Sequence, residues 1–182
     1  MASLLGVVLC GGESRRMGRD KGLLLNGNVP WALFMARKLS SWNIPVVYSI
    51  HPRQLTAYSA ILPAGQLIPD ALDLPGPLNG LFSVHQRMPD ADILLLACDM
   101  LDLDEKTIEG LLSSWQVSDE SMDLFAYGDA RLWQPFCCIY TARGLDRVDT
   151  GRDKSLQSIL RSGRTQSLPI THPTAFANYN SL

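Results

Sequence analysis

Residues 7–24 read VVLCGGESRRMGRDKGLL. An apolar run that starts at Leu4 ends at Leu9-Cys10, meets two glycines, and passes into Arg15, Arg16, Arg19 and Lys21. The unbroken apolar run Leu4–Leu9 is the pattern of a strand covered on both faces, as parallel sheets require. Gly11 and Gly12 lack a Cβ, so a ligand can approach their backbone closely. The basic residues that follow offer cationic donors to phosphate. The stretch is no P-loop, because five residues separate Gly12 from Gly18 and Arg19 stands where a lysine is needed. Nor does it contain G-x-G-x-x-G.

Working outward, apolar and helical patterns alternate. Pro30 sits in the first turn of a helix through about Ser41, and Ile44–Ile50 is a second strand. Arg53–Ile61 is a weaker helix, and Leu67-Ile68 a short apolar run. Gly76-Pro77 opens a helix to about Arg87. Asp92–Ala97 (DILLLA) is another buried strand, followed by a helix capped at Asp102 or Asp104 and running to Trp115. Asp123–Tyr127 and Leu132–Tyr140 flank a Gly128-Asp129 turn as a hairpin. Asp153–Arg161 reads as a helix, and Ala175–Tyr179 as a short last strand. This alternation predicts a three-layer α/β architecture with a mostly parallel sheet, in one domain over residues 1–182. Ligands in such folds bind beyond the carboxyl ends of the strands. That rule brings Cys10–Lys21 and Cys98–Asp104 to one mouth.

Composition limits the function. The chain has 182 residues, 46% hydrophobic and 19% charged, with net charge −2. Nothing global suits nucleic acid or an anionic membrane, so any anion site is local. No apolar run is long enough to span a bilayer, and Met1–Leu9 lacks the pattern of a signal peptide. The four cysteines, Cys10, Cys98, Cys137 and Cys138, form no C-x-x-C pair. They read as buried thiols of a reducing cytoplasm. Cys137 and Cys138 should face opposite sides of their strand.

Three acidic or basic positions carry the chemistry. Asp99 directly follows DILLLA, where a carboxylate can hold Mg²⁺ together with substrate phosphates. Asp70 follows Leu67-Ile68, either in a turn or at the ligand. Lys21 closes the basic stretch. His51, His85 and His172 show no metal-ligand spacing.

In order along the chain, Leu9-Cys10-Gly11-Gly12-x-Ser14-x-Arg16-Met17-Gly18-x-Asp20-Lys21 resembles the signature of the molybdenum cofactor guanylyltransferases, the MobA type. Asn26-Gly27 with Pro30, Asp70 with Gly76-Pro77-Leu78-x-Gly80, Cys98-Asp99, Gln134-Pro135 and Phe176-x-Asn178-x-Asn180 resemble further family segments. The resemblance implies a Rossmann-like nucleotidyltransferase domain that transfers GMP from GTP to molybdopterin, with Mg²⁺, releasing pyrophosphate. It implies that Leu9, Cys10, Gly11 and Gly12 line the nucleotide and that Lys21 meets its phosphates. Asp70 contacts the nucleotide, Asp99 binds the metal, and Arg16 is a further phosphate contact. Where the family has Asn-x-Asn, this chain reads Ser49-Ile50-His51, so Ser49 takes part of that contact. Molybdopterin-synthesis proteins and molybdoenzyme apoproteins are the protein partners that the resemblance suggests. Two alternatives stay open: a cytidylyltransferase of the same fold acting on molybdopterin or a sugar or polyol phosphate, and a non-catalytic molybdopterin carrier.

Overall fold

The computed structural model describes residues 3–11, 20–129 and 131–179. Strand β1 (Ser3–Leu9) leads into a small two-residue ladder, β2 (Leu25–Asn26) with β3 (Val29–Pro30), closed by Gly27 at φ +61°. Helix α1 (Trp31–Arg37), β4 (Val46–Ile50), α2 (Leu55–Ser59), β5 (Leu67–Pro69) and α3 (Pro77–Arg87) follow. Then come β6 (Ala91–Ala97), α4 (Glu105–Val117), β7 (Leu124–Tyr127) and β8 (Cys138–Tyr140). Helices α5 (Ala142–Asp146) and α6 (Leu156–Ser162) precede the last strand, β9 (Thr165–Leu168).

Seven strands form one sheet in the order β5-β4-β1-β6-β8-β7-β9. Neighbours pair in parallel except at β8, which is antiparallel to both β6 and β7. Side chains alternate between the two faces, as strand geometry dictates. Val8, Leu94 and Leu96 pack with α1, α2 and α4, whereas Val7, Ile93 and Leu95 pack with α3, α5 and α6. This is the expected three-layer, mostly parallel sheet. Cys137 and Cys138 do lie on opposite faces, and all four cysteines are buried free thiols.

The chain leaves β1 for β4 and β5, then returns to the other side of β1 as β6. Connections after β1 and after β6 therefore diverge, and a crevice opens between their carboxyl ends. Close packing of the α3 layer depends on Gly80. A Cβ there would lie 2.3 Å from Ser49 Oγ and 2.6 Å from Leu9 Cδ2, so only glycine lets α3 approach β4 and β1 this closely.

At the far end of the sheet, buried Asp123 receives Arg143, Arg147 and a two-pronged pair of bonds from Arg164. Burial alone would raise its pKa. The hydrogen bonds from Arg164, Arg143 and Arg147 outweigh that and hold the carboxyl well below the usual carboxylate range. The cluster ties the start of β7 to α5 and to the approach to β9.

Two expectations need correction. Residues Ala175–Tyr179 are not a strand: Pro173–Phe176 form a 3-10 turn that seats Ala175 and Phe176 in the core. The last strand is Thr165–Leu168, whose Thr-Gln-Ser run is only partly covered at the sheet edge. The β7–β8 hairpin exists, but its connection covers residues 128–137. Of the two expected cap candidates it is Asp104 that caps α4, accepting from Thr107 N at 2.7 Å.

Candidate functional site

The site is built at the carboxyl ends of β5, β4, β1 and β6, which deliver Asp70, Ser49, Cys10-Gly11 and Cys98-Asp99 side by side. Cys98 N donates to Leu9 O at 3.1 Å, so the ladder between β1 and β6 continues one residue past the strands. Arg16 and Gly12, together with Arg15 and Arg19, lie outside the described residues.

Lys21 Nζ lies 2.7 Å from Asp99 Oδ2, and both side chains are largely buried, 22% and 13% exposed. Two residues far apart in sequence thus meet across the crevice, as the sequence reading requires. Lys21 opens a 3-10 turn, Lys21–Leu23, whose cap Asp20 accepts from Gly22 N at 3.0 Å. The same carboxylate accepts from Tyr58 Oη at 2.8 Å and from Gln54 Nε2 at 2.5 Å. Gln54 Nε2 also donates to Cys10 O at 3.1 Å, and its Oε1 accepts from His51 N at 2.6 Å. One side chain therefore joins the ends of β1 and β4 to the residue before Lys21. Gly22 is needed because a Cβ there would strike Tyr58 Oη. Burial, together with nearby Cys10, Asp20 and Cys98, raises the Tyr58 pKa, so its phenol remains a donor.

The acidic residue on the other side is held differently. Ser49, fully buried, donates through Oγ to Asp70 Oδ1 at 3.0 Å. Asp70 N donates to Ile50 O at 2.8 Å. Burial raises the Asp70 pKa, opposed by the Ser49 hydrogen bond and the nearby His51. Ser49 thus acts on Asp70 directly, a supporting role in addition to the one expected for it.

The glycine reading needs adjustment. The N–H groups of Cys10 and Gly11 both donate to Ser49 O, at 2.8 and 3.0 Å. Leu9 O and Cys10 O are also used, by Cys98 N and Gln54. Neither N–H is left to cradle an anion; the Gly11 carbonyl is the backbone group at this turn with no partner among the described residues. Nor is the Cβ side of Gly11 open space. A Cβ would sit 3.0 Å from Asp70 Oδ2 and 3.3 Å from His51 N, so a larger residue here would press on Asp70 and on the end of β4.

The Cys10 thiol sits in the buried floor beneath this mouth. Burial raises its pKa first, and a hydrogen bond with the Cys98 thiol adds to that. The Cys10 thiol is therefore a poor nucleophile. Sequence reasoning gave no role to Gln54 or Tyr58, and mentioned Asp20 only within the signature. The available signal was Gln54 three residues after His51, the spacing of a capping box.

The C-terminal segment covers the Asp99 side. Tyr179 N donates to Asp99 O at 3.0 Å, Tyr179 Oη donates to Asp102 Oδ2 at 2.6 Å, and the ring meets Trp31 edge-on. Among the described residues no group of three His, Cys, Asp or Glu side chains could hold a metal by itself. No helix among them is long and apolar enough to cross a membrane.

The arrangement can hold an anionic ligand against Lys21 at one end and present acceptor groups, Asp70 and the Gly11 carbonyl, at the other. Comparison with known proteins identifies the family. Residues 6–168 match the family model of the MobA-like NTP transferase domain. A molybdenum cofactor guanylyltransferase of Pseudomonas putida is 32% identical over 96% of this chain and 92% of its own. A probable molybdenum cofactor guanylyltransferase of Trichormus variabilis is 29% identical over the whole of this chain and 88% of its own. In fold, the chain resembles molybdopterin-guanine dinucleotide biosynthesis protein A of Archaeoglobus fulgidus, with TM-score 0.76, 18% identity, and coverage of 98% and 93%.

Proposed function

The chain belongs to the MobA-like nucleotidyltransferase family, and on that premise we propose that it transfers GMP from GTP to molybdopterin. A phosphate oxygen of molybdopterin attacks the α-phosphorus of GTP. The bond from that phosphorus to the bridging oxygen breaks, and pyrophosphate leaves. The nucleophile is already an anion, so the enzyme's task is positioning and charge neutralisation more than proton transfer.

The observation that carries this reading is the Lys21–Asp99 pair, a cation and a carboxylate joined across the switch point of the sheet. Lys21 exchanges Asp99 for the triphosphate oxygens as the nucleotide enters, which puts a point charge on the leaving side. Asp99 would then hold Mg²⁺. Its carboxylate already faces a cation, and a lone carboxylate plus substrate phosphates is the donor set magnesium uses. A magnesium ion there would neutralise developing phosphate charge. Asp20, Gln54 and Tyr58 fix the turn that carries Lys21 and so set where the ammonium can reach. Asp70, braced by Ser49, contacts the nucleoside. Arg16 and the backbone at Gly12 belong to the same basic stretch and are assigned to the phosphates.

GTP with Mg²⁺ should raise the melting temperature more than CTP, ATP or UTP at equal concentration, because a ligand selective for the native state stabilises it by mass action. An equal or larger shift with CTP would favour the cytidylyltransferase alternative. Buried free thiols and the lack of a membrane-crossing helix among the described residues support a cytoplasmic setting. There, molybdopterin-synthesis proteins would supply the acceptor and molybdoenzyme apoproteins would receive the product.

A further inference from the structure

We propose that His51 selects the base, by donating a hydrogen bond from Nε2 to the O6 of guanine. The inference rests on the guanylyltransferase reading and goes beyond it by naming a discriminating side chain. His51 directly follows β4, where its backbone N lies 3.3 Å from the Cβ position of Gly11. It is half-buried, next to Asp70, whose carboxyl its imidazole influences. Gly11, His51 and Asp70 thus form one wall of the mouth.

The hydrogen-bond inventory of that wall is one-sided. Gly11 N–H is given to Ser49 O, His51 N–H to Gln54 Oε1, and Asp70 N–H to Ile50 O. What remains is mostly acceptor: the Gly11 carbonyl and the Asp70 carboxylate. The exception follows from the tautomer of His51. Its Nδ1 accepts from Arg53 N at 3.2 Å, capping the 3-10 turn Pro52–Gln54. A ring nitrogen that accepts carries no proton, so in neutral His51 the proton is on Nε2. No described residue uses Nε2. The wall therefore offers one donor among acceptors.

Guanine has the matching edge. Its N1–H and 2-amino group are donors, and O6 beside them is an acceptor. Adenine and cytosine carry an amino group where guanine carries O6, and would set donor against donor. A site built to hydrogen-bond a group rejects analogues lacking it more strongly than one that only measures size. The placement fits a nucleotide as well. β4 and β6 flank β1, so His51 lies about 10 Å from the Asp99 end at ~4.8 Å per strand, a span suited to reach from base to phosphates.

The test compares two nearly isosteric variants, His51→Asn and His51→Asp. Each keeps a side-chain oxygen to cap the turn, and only Asn keeps a donor. The readout is kcat/KM for nucleotidyl transfer to molybdopterin from GTP, from ATP, and from 2-aminopurine riboside triphosphate, which has no O6. Melting temperatures check that both variants fold. His51→Asn should keep the preference for GTP over ATP, and His51→Asp should lower that ratio about tenfold or more relative to it. With 2-aminopurine riboside triphosphate the two variants should agree within about twofold. A pure capping role predicts that both variants keep the same GTP-to-ATP ratio, and that result would overturn the assignment. So would an equal tenfold gap with 2-aminopurine riboside triphosphate, which would trace the effect to the added charge. A wild-type protein without GTP preference would instead sink the guanylyltransferase reading itself.

Discussion

Asp99→Asn should lower kcat/KM for guanylyl transfer by about 10²–10³ or more, the cost typical of removing one group that stabilises charge in the transition state. The carboxylate stands just past β6, a strand buried along its whole length, and its position is fixed from three directions. The β1–β6 ladder continues to Cys98 N, Lys21 Nζ lies at 2.7 Å, and Tyr179 N holds its carbonyl. Asparagine keeps the volume and an acceptor but loses the charge. The fold should survive, because the amide oxygen still accepts from Lys21 Nζ and the backbone bonds at Cys98 N and Asp99 O are untouched. Thermal unfolding beside steady-state kinetics separates the two effects. A melting temperature within a few degrees of wild type, with transfer reduced at least a hundredfold, is the expected pair of results. Turnover close to wild type would remove Asp99 from the site.

Lys21→Ala comes next in size. It should raise the dissociation constant for GTP and also lower kcat, because the ammonium neutralises phosphate in both ground and transition states. Together the losses should reach about a hundredfold in kcat/KM, on the scale of a single lost electrostatic contact. Lys21→Arg should recover only part of this. The turn that carries residue 21 is packed tightly, with Asp20 bonded to Gly22, Gln54 and Tyr58 and no room for a Cβ at Gly22. A planar guanidinium cannot take the place of a compact point charge without moving that turn. Calorimetric titration of GTP, paired with transfer rates, checks both parts. Unchanged affinity together with a normal rate for Lys21→Ala would show that the triphosphate binds elsewhere.

Much of this was legible in the sequence, for identifiable reasons. Leu4–Leu9 and Asp92–Ala97 are read easily because parallel strands buried on both faces must be apolar throughout. Once those two are placed in a sheet, Lys21 and Asp99 have to meet near one mouth, and they do. β9 was hidden because an edge strand covered on one side need not look apolar, and Thr165-Gln166-Ser167 does not. Phe176 misled in the opposite direction: its burial comes from a 3-10 turn that lowers it onto the Tyr127 ring, not from a strand. Within the site, residue types were visible but their use was not. Nothing in Leu9-Cys10-Gly11 shows that the N–H groups of Cys10 and Gly11 are taken by Ser49 O, because that bond joins residues on different strands. Gln54 is equally opaque, since its importance lies in reaching Asp20 and Cys10 at once.

The central claim is that this crevice moves GMP from GTP to molybdopterin. It is tested most directly by incubating the purified protein with Mg²⁺, molybdopterin and GTP labelled at the α-phosphorus. The account predicts that the label appears in a guanine dinucleotide of the pterin, only when molybdopterin is present, with one pyrophosphate released per dinucleotide formed. It also predicts much less product from CTP under the same conditions. Label that stays in free nucleotide, or transfer from CTP as efficient as from GTP, would contradict it.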